Sequence, residues 1–576
     1  MVRRDPLKRL NIGLLALAFV LSLFAGRLFQ LQGMESSSYA RKEKTFQPIL
    51  LPAERGTITD AQGNPLATTV EARLIYADPA LIPPGSRSSV AQTVATALGL
   101  DQATVLKRLD AKQGVHYVVL AHRVRPDKAQ MVADLGIPGI ASNLEYQRAY
   151  PGGSTVAPNL LGFVGSDGSG RSGLEYTLNK VLSGKDGHET VQTSLSGRPI
   201  PANQGQIVQP VPGRNVRLTI LRDLQWKAQE ALDAQVRKVG AQDGSVIVMD
   251  TRTSQILAMA SSPSYDPNNY WAASPQALAD PALQELFEPG STNKVITAAT
   301  VMEKGGVTPD TVFTVPSSLN VYGQQIHDAE QHPTRREYFS GVLATSSNVG
   351  TMLASKTVSA TDLYDYMRAF GYGQASGLGL PGETQGLLPP VNKWSGTQRY
   401  TIAFGQGVGV NALQVASVYS TIANRGVRVP PTLVAGSDDG HGNFTPASAP
   451  KPQRVISEQT AAELTRMLEG VVSKDGTAPE AEIPGYRVAG KTGTAQRVNP
   501  ACHCYVGGGY TASFAGFAPA DSPQLMVFVV LQNPTKGEYG GTVAAPVFKD
   551  VMTFALQARK IPPTGTQSPK VQIYAN

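Results

Sequence analysis

Three short boxes in the chain carry side chains able to do chemistry. The first is Pro289-Gly290-Ser291-Thr292-Asn293-Lys294. Pro-Gly forces a turn, and the apolar run from Val295 to Ala299 reads as a buried helix that ends at Gly305-Gly306. Ser291 and Lys294 stand three apart and so share one helix face. A lysine stripped of water can lose its proton and act as base for a serine hydroxyl. The start of a helix adds free N–H groups and a dipole that favour developing negative charge. The second box is Ala344-Thr345-Ser346-Ser347-Asn348-Val349-Gly350, between helical runs at Arg336–Leu343 and Val349–Ser355 or beyond. The Ser346 hydroxyl can relay a proton, and the Asn348 amide can both donate to and accept from a substrate amide. The third box, Val488-Ala489-Gly490-Lys491-Thr492-Gly493-Thr494-Ala495, reads as an edge strand able to pair with an extended peptide. Lys491 offers charge to a substrate carboxylate, and Gly493 lets a ligand approach closely.

Each box alone has a bland explanation. Ser-x-x-Lys arises by chance in a chain of this length, and Ser and Asn are common helix caps. The third box also overlaps a phosphate-loop pattern, Gly485 to Thr492. That pattern requires a strand before it and a helix starting at Lys-Thr. Here Ile483-Pro484 precedes it, and Gly493 to Pro500 is poor helix. A nucleotide site is therefore disfavoured.

Taken together and in this order, Ser291-x-x-Lys294, Ser346-x-Asn348 and Lys491-Thr492-Gly493 resemble the signature of penicillin-binding proteins and serine β-lactamases. Gaps of 55 and 145 residues between the boxes suit one large domain. The resemblance extends to nearly the whole chain. Arg55-Gly56-Thr57-Ile58-Thr59-Asp60, Gly63-Asn64-Pro65-Leu66-Ala67 and Gly173-Leu174-Glu175 look like landmarks of the non-catalytic pedestal of class B penicillin-binding proteins. Ser262-Pro263-Ser264-Tyr265-Asp266-Pro267-Asn268 and Gly405-Gln406-Gly407 resemble landmarks of the transpeptidase half.

That resemblance implies a serine D,D-transpeptidase cross-linking peptidoglycan stem peptides, most like the division (septal) type, with the elongation type as the alternative. It implies Ser291 as nucleophile, Lys294 as general base, and Ser346 as proton carrier to the leaving D-alanine nitrogen. Asn348 would bind the substrate amide, and Lys491, Thr492 and Thr494 the terminal carboxylate. The N–H groups of Ser291 and Thr494 would form the oxyanion hole. It implies no metal and no organic cofactor. The expected partners are D-Ala-D-Ala stem peptides, β-lactams, a membrane-embedded glycan-strand polymerase and other division proteins, and not nucleic acid.

These boxes need elements to position them. A chain of 576 residues is too long for one core. Net charge is +7, spread without dense Lys/Arg blocks, which suits an anionic membrane or wall surface better than nucleic acid. Arg3, Arg4, Lys8 and Arg9 precede an uncharged apolar run from Leu10 to Gly26, with apolar residues resuming at Leu28. No convincing cleavage site follows, so an uncleaved anchor is expected, with its basic end in the cytoplasm and the rest outside. The expected organisation is a cytoplasmic tail at 1–9, a transmembrane helix at 10–31 and a mixed α/β dimerisation-type pedestal at 32–212. An α/β transpeptidase domain at 213–560 follows, its antiparallel sheet flanked by helices as in serine β-lactamases, then a flexible tail at 561–576. In the catalytic half, Asn215–Ile220 reads as a strand, Leu224–Val239 as a helix, and 244–250 with 255–260 as a strand pair.

Two stretches fall outside the pattern. Arg497–Gly509 holds both cysteines, Cys502 and Cys504, and reads as a loop with two thiols. A zinc site there lacks ligands, and a Cys-x-Cys disulfide makes a tight ring. The run His327-Asp328-Ala329-Glu330-Gln331-His332 reads as a surface loop near the site rather than a metal cluster. Rival functions remain: a D,D-carboxypeptidase or β-lactamase of the same fold, for which no second base is evident, or a non-catalytic β-lactam sensor or scaffold.

Overall fold

The structure, a computed structural model, describes residues 6–34, 45–110, 112, 114–193, 199–439, 441–499 and 501–576. Arg3 and Arg4, assigned above to the cytoplasmic flank, lie outside them. The chain forms two compact units.

The first unit draws on described residues within Met1–Glu54, Val70–Gln147 and Gly184–Pro212. It opens with the helix Pro6–Phe29. The apolar stretch Leu10–Gly33 is 24 residues with a mean hydropathy of 2.2, long and apolar enough to cross a membrane. Its large side chains face outward, Leu15 and Phe24 among them, as suits a helix whose apolar surface meets lipid. Such a helix fits a membrane anchor. Further on, Ile75, Val94, Leu98, Val105, Leu109, Leu120 and Val132 make a small core beneath the helices Arg87–Leu98, Gln102–Leu109 and Pro126–Asp134. Strand Thr45–Leu51 pairs antiparallel with Gly187–Thr193, which pairs in turn with Pro199–Val208.

The second unit comprises Arg55–Thr69, Arg148–Ser183 and Gly213–Asn576. Two pieces of the stretch expected to form one pedestal, 55–69 and 148–183, therefore belong to the same unit as the three boxes. Ile58 and Thr59 pair in parallel with Val216 and Arg217, and Tyr150 N–H donates to Asn268 Oδ1 at 2.9 Å. A buried ion cluster joins the two pieces to each other. Arg55 Nε and Arg148 Nε each lie 2.7 Å from a different oxygen of Glu175, which is fully buried. Arg55 also donates to the Glu175 carbonyl at 2.9 Å and to Asn179 at 2.8 Å. Two landmark stretches far apart in sequence are thereby tied together.

The core of this unit is a five-stranded antiparallel sheet. Helix α1 (Arg222–Val239) leads into strands β1 (Asp243–Asp250) and β2 (Ile256–Ser262). Strands β3 (Ala489–Gln496), β4 (Tyr510–Ala518) and β5 (Leu525–Gln532) complete the order β2-β1-β5-β4-β3. Residues 525–531 of β5 are apolar throughout and every residue of the strand is buried, the pattern of a strand covered on both faces. Helix α1 and the C-terminal helix Ala545–Ala558 pack on the sheet, as does the apolar helix Ala412–Ala423.

The two sheet edges differ. At β2 the Gln225 amide of α1 exchanges two hydrogen bonds with Met259, at 3.0 and 2.7 Å, and Gln229 donates to Ser261 at 2.8 Å. At β3, the edge strand anticipated from its sequence, the outer side has no backbone partner among the described residues. An open edge is a template for another extended chain.

Two expectations fail here. The helical run placed at Arg336–Leu343 begins only at Phe339, because Arg335–Tyr338 is drawn into a strand against Val312–Val315. The tail from 561, expected to be flexible, is docked. Tyr338 N–H donates to Ile573 at 3.0 Å, Ala575 N–H to Arg336 at 2.9 Å, and the Ser340 hydroxyl to Gln572 at 2.8 Å. Unpaired groups on the Arg335–Tyr338 strand give the polar tail a place to bond.

Candidate active site

Ser291 lies in a short 3₁₀ turn, Gly290–Asn293, that runs into the helix Lys294–Lys304. Residues three apart nearly eclipse one another in such a turn, so Ser291 and Lys294 stand on the same side of it, and Lys294 Nζ bonds to Ser346. Ser291 is half-buried, whereas Lys294 is fully buried. The turn is pinned from several sides. Gly290 has φ +53° and donates its N–H to Gly405 O at 3.0 Å. A Cβ on Gly405, itself at φ +87°, would stand 2.1 Å from Gly290 O, so only glycine fits there. Asn293 donates to Ile402 O at 2.8 Å, and Tyr419 OH donates to Thr292 O at 3.0 Å.

Ser346 is the hub. Lys294 Nζ donates to its carbonyl at 2.5 Å and reaches its hydroxyl at 3.3 Å. Lys491 Nζ donates to the same hydroxyl at 2.8 Å. Ser346 adopts φ +62°, a left-handed conformation unfavourable for a serine. Such backbone persists only where its surroundings over-determine it. Here the determinant is Asp328. Its carboxylate accepts from Asn348 N–H at 2.5 Å, Val349 N–H at 3.0 Å and Ser347 Oγ at 2.7 Å, and His332 Nε2 lies 3.0 Å away. Asp328 thus accepts from the first free N–H groups of the helix Asn348–Ser355, while Ser347 caps Gly350 N–H at 2.8 Å. The Asn348 side chain donates to His327 O at 3.1 Å. The run 327–332 is largely exposed, as a surface loop near the site, and its buried Asp328 clamps the second box.

On β3, Lys491 is fully buried and also reaches Thr492 Oγ1 at 3.2 Å. Thr492 Oγ1 lies 2.9 Å from Thr477 Oγ1, and Thr494 Oγ1 accepts from Gly540 N–H at 3.2 Å. Gly493 is glycine for a different reason than anticipated. An added Cβ would stand 2.3 Å from Ser513 Oγ and 3.0 Å from Thr292 Cγ2, so its bareness lets β3 lie against β4 and the Ser291 turn, rather than against a ligand. Lys491 and Thr492 lie mid-strand, not at a helix start, so a phosphate loop is ruled out.

The electrostatics are lopsided. Among the described residues neither Lys294 nor Lys491 has a carboxylate within ion-pair distance. Burial lowers Lys294 from 10.5 to about 7, against a smaller upward pull from Asp328. Burial, and then repulsion from Lys294, holds Lys491 well below the ordinary lysine range. Two poorly solvated amines flank one hydroxyl, an arrangement that both frees a base and awaits an anion.

The comparisons with known proteins follow the same lines. Residues 244–553 match the penicillin binding protein transpeptidase domain, and residues 50–218 the penicillin-binding protein dimerisation domain. Penicillin-binding protein PbpB of Mycolicibacterium smegmatis is 35% identical, over 98% of this chain and 93% of its own. The chain belongs to the class B penicillin-binding proteins. The peptidoglycan D,D-transpeptidase FtsI of Escherichia coli is 34% identical over 96% of this chain and 91% of its own. The crystal structure of penicillin binding protein 3 from Mycobacterium tuberculosis with aztreonam superposes with a TM-score of 0.72 at 33% identity, covering 92% of this chain and all of that one.

In this member of the family the two cysteines are not free thiols. Cys502 and Cys504 form a disulfide, with Cα atoms 5.2 Å apart. A turn on Asn499, whose carbonyl accepts from His503 N–H at 2.9 Å, and a left-handed His503 at φ +52° bring the side chains together. Sequence reasoning missed Asp328 as a clamp, and missed Thr477 and Gly540 altogether. Only Asp328 left a signal, an acidic residue in a run already singled out.

Proposed function

We propose that this class B enzyme is a division-type peptidoglycan D,D-transpeptidase acting through an acyl-enzyme on Ser291. The observation that carries this reading is the Ser346 hydroxyl held between two buried lysines, 3.3 Å from Lys294 and 2.8 Å from Lys491. Lys294 in its neutral form takes the Ser291 proton as Oγ attacks the carbonyl of the penultimate D-Ala. The N–H groups of Ser291 and Thr494 hold the resulting oxyanion. The C–N bond then breaks, with Ser346 delivering the proton from Lys294 to the departing D-Ala nitrogen. An amine of a neighbouring stem peptide repeats the attack on the ester, so the sequence reverses and Ser291 regains its proton.

The donor peptide lies extended along the open edge of β3, with Asn348 bonded to its amide. Its terminal carboxylate supplies the missing counter-charge to Lys491, with Thr492 and Thr494 donating hydroxyl hydrogen bonds. Gly493 keeps β3 close to the nucleophile turn. β-Lactams enter as donor mimics and stop at the ester. No metal is needed in this scheme. The anchor has its N-terminus in the cytoplasm and the catalytic residues outside, beside a glycan-strand polymerase and other division proteins. A disulfide suits such an oxidising location. In this reading the anchor lies within 10–31 and the transpeptidase domain within 213–560, with 55–69, 148–183 and the tail folded into the same unit as that domain.

The test is turnover. The full chain in detergent, given a peptide ending in D-Ala-D-Ala and a D-amino acid acceptor, should release D-Ala and form the exchanged peptide. D-Ala release with only the shortened acid, at any acceptor concentration, would make the protein a carboxypeptidase.

A further inference from the structure

Tyr505 follows the disulfide by one residue, and its hydroxyl lies 3.1 and 3.0 Å from the two oxygens of Glu288. Glu288 stands three residues before Ser291. Its Oε1 accepts from Gly407 N–H at 2.7 Å, and Gly405, two residues back, accepts the Gly290 N–H at 3.0 Å. One unbroken path thus runs from the staple through Tyr505 and Glu288 to the backbone beside the nucleophile. The loop bearing Tyr505 has little else to hold it. Val506 is 81% exposed, and most internal bonds of the segment converge on Asn499, the others being Gly508 N–H to Tyr505 O at 3.2 Å and Arg497 N–H to Gly509 O at 2.9 Å. A short loop without apolar anchorage needs a covalent restraint to keep one side chain in place.

We propose that Tyr505 is a positioning residue for Ser291, acting through Glu288, and that the Cys502–Cys504 disulfide holds it in place. Opening the bond takes two electrons and two protons from a dithiol, which becomes a disulfide itself. Tyr505 then leaves Glu288, and the Gly405–Gly407 segment that fixes the Ser291 turn loosens. The inference rests on Ser291 being the acylated residue.

The experiment measures the second-order rate of acylation by a fluorescent penicillin on the full chain in detergent, with thermal midpoints recorded in parallel. Tyr505→Phe should slow acylation about ten-fold, the scale of a small misplacement of a reacting group, without moving the midpoint. The pair Cys502→Ser with Cys504→Ser, and wild type reduced by a dithiol and desalted, should fall to the same rate. Combining Tyr505→Phe with the cysteine pair should give no further loss, since both act on one path. Glu288→Gln, which keeps an acceptor oxygen, should restore most of what Glu288→Ala loses. Val506→Ala should stay at the wild-type rate. A Tyr505→Phe rate equal to wild type overturns the proposal, as do losses that multiply in the combination or a matching loss in Val506→Ala. A wild-type chain that takes no label at Ser291 counts instead against the proposed function.

Discussion

Two buried charge clusters in the same unit are built on opposite terms. Around Glu175, two guanidinium groups meet one carboxylate, and Arg55 has further partners in the Glu175 carbonyl and Asn179. Around Ser346, two ammonium groups meet a hydroxyl and a carbonyl, with no carboxylate in reach of either among the described residues. The first cluster joins distant parts of the chain and holds a carboxylate between its two cations. The second is left short of negative charge, and burial depresses both lysines, with repulsion from Lys294 adding to the effect at Lys491. A cluster built around a carboxylate fixes structure, whereas cations left without one are poised to bind an anion and to exchange protons.

The comparison breaks most sharply under mutation. Lys294→Ala should slow acylation by about three orders of magnitude or more, since groups acting as a unit fail together. Its thermal midpoint should hold or rise, because an uncompensated buried amine is removed. Glu175→Ala should do the reverse. It strands two buried guanidiniums and should cost about 3–5 kcal/mol of stability in thermal denaturation. Acylation per folded molecule should stay near wild type. Equal stability losses at both sites would dissolve the distinction.

The pH dependence sharpens it. Acylation should rise with pH as Lys294 loses its proton around 7, then level off. The sign for stability follows from the same group. Its folded value lies below the unfolded 10.5, so between about 7 and 10.5 the unfolded chain binds the extra proton. The stability penalty is full below 7 and is relieved as pH rises through that window. Lys294→Met should flatten both profiles, which stopped-flow acylation and pH-scanned denaturation would read. The smallest expected effect is at Gly493→Ala, about ten-fold in acylation, because the new methyl meets Ser513 Oγ at 2.3 Å. Adding Ser513→Ala should recover part of it.

The three boxes were legible because catalysis demands those side chains at short local spacing, Ser291 with Lys294 and Lys491 with Thr492. The strand pair, read at 244–250 and 255–260, and helix α1 were legible from their apolar patterning, and the edge position of β3 from its Thr/Gly-rich extended stretch. Hidden were features set by contacts between remote segments. Asp328 acts only once 327–332 folds over the Asn348 helix. Arg335–Tyr338 is a strand rather than a helix start because Val312–Val315 lies beside it, and the tail docks for lack of another partner for that strand. The Cys502–Cys504 bond depends on a left-handed His503 that composition does not announce. Gly493 was read as room for a ligand, when the space belongs to Ser513 and Thr292.

The central claim is that Ser291 is the acyl-accepting nucleophile. Its most direct test is peptide mass spectrometry of the full chain after incubation with a penicillin, alongside Ser291→Ala. The account predicts one penicilloyl adduct, on the peptide containing Ser291, absent from the mutant and lasting well beyond the time needed to form it. An adduct on another residue, or intact drug with no adduct, would contradict it.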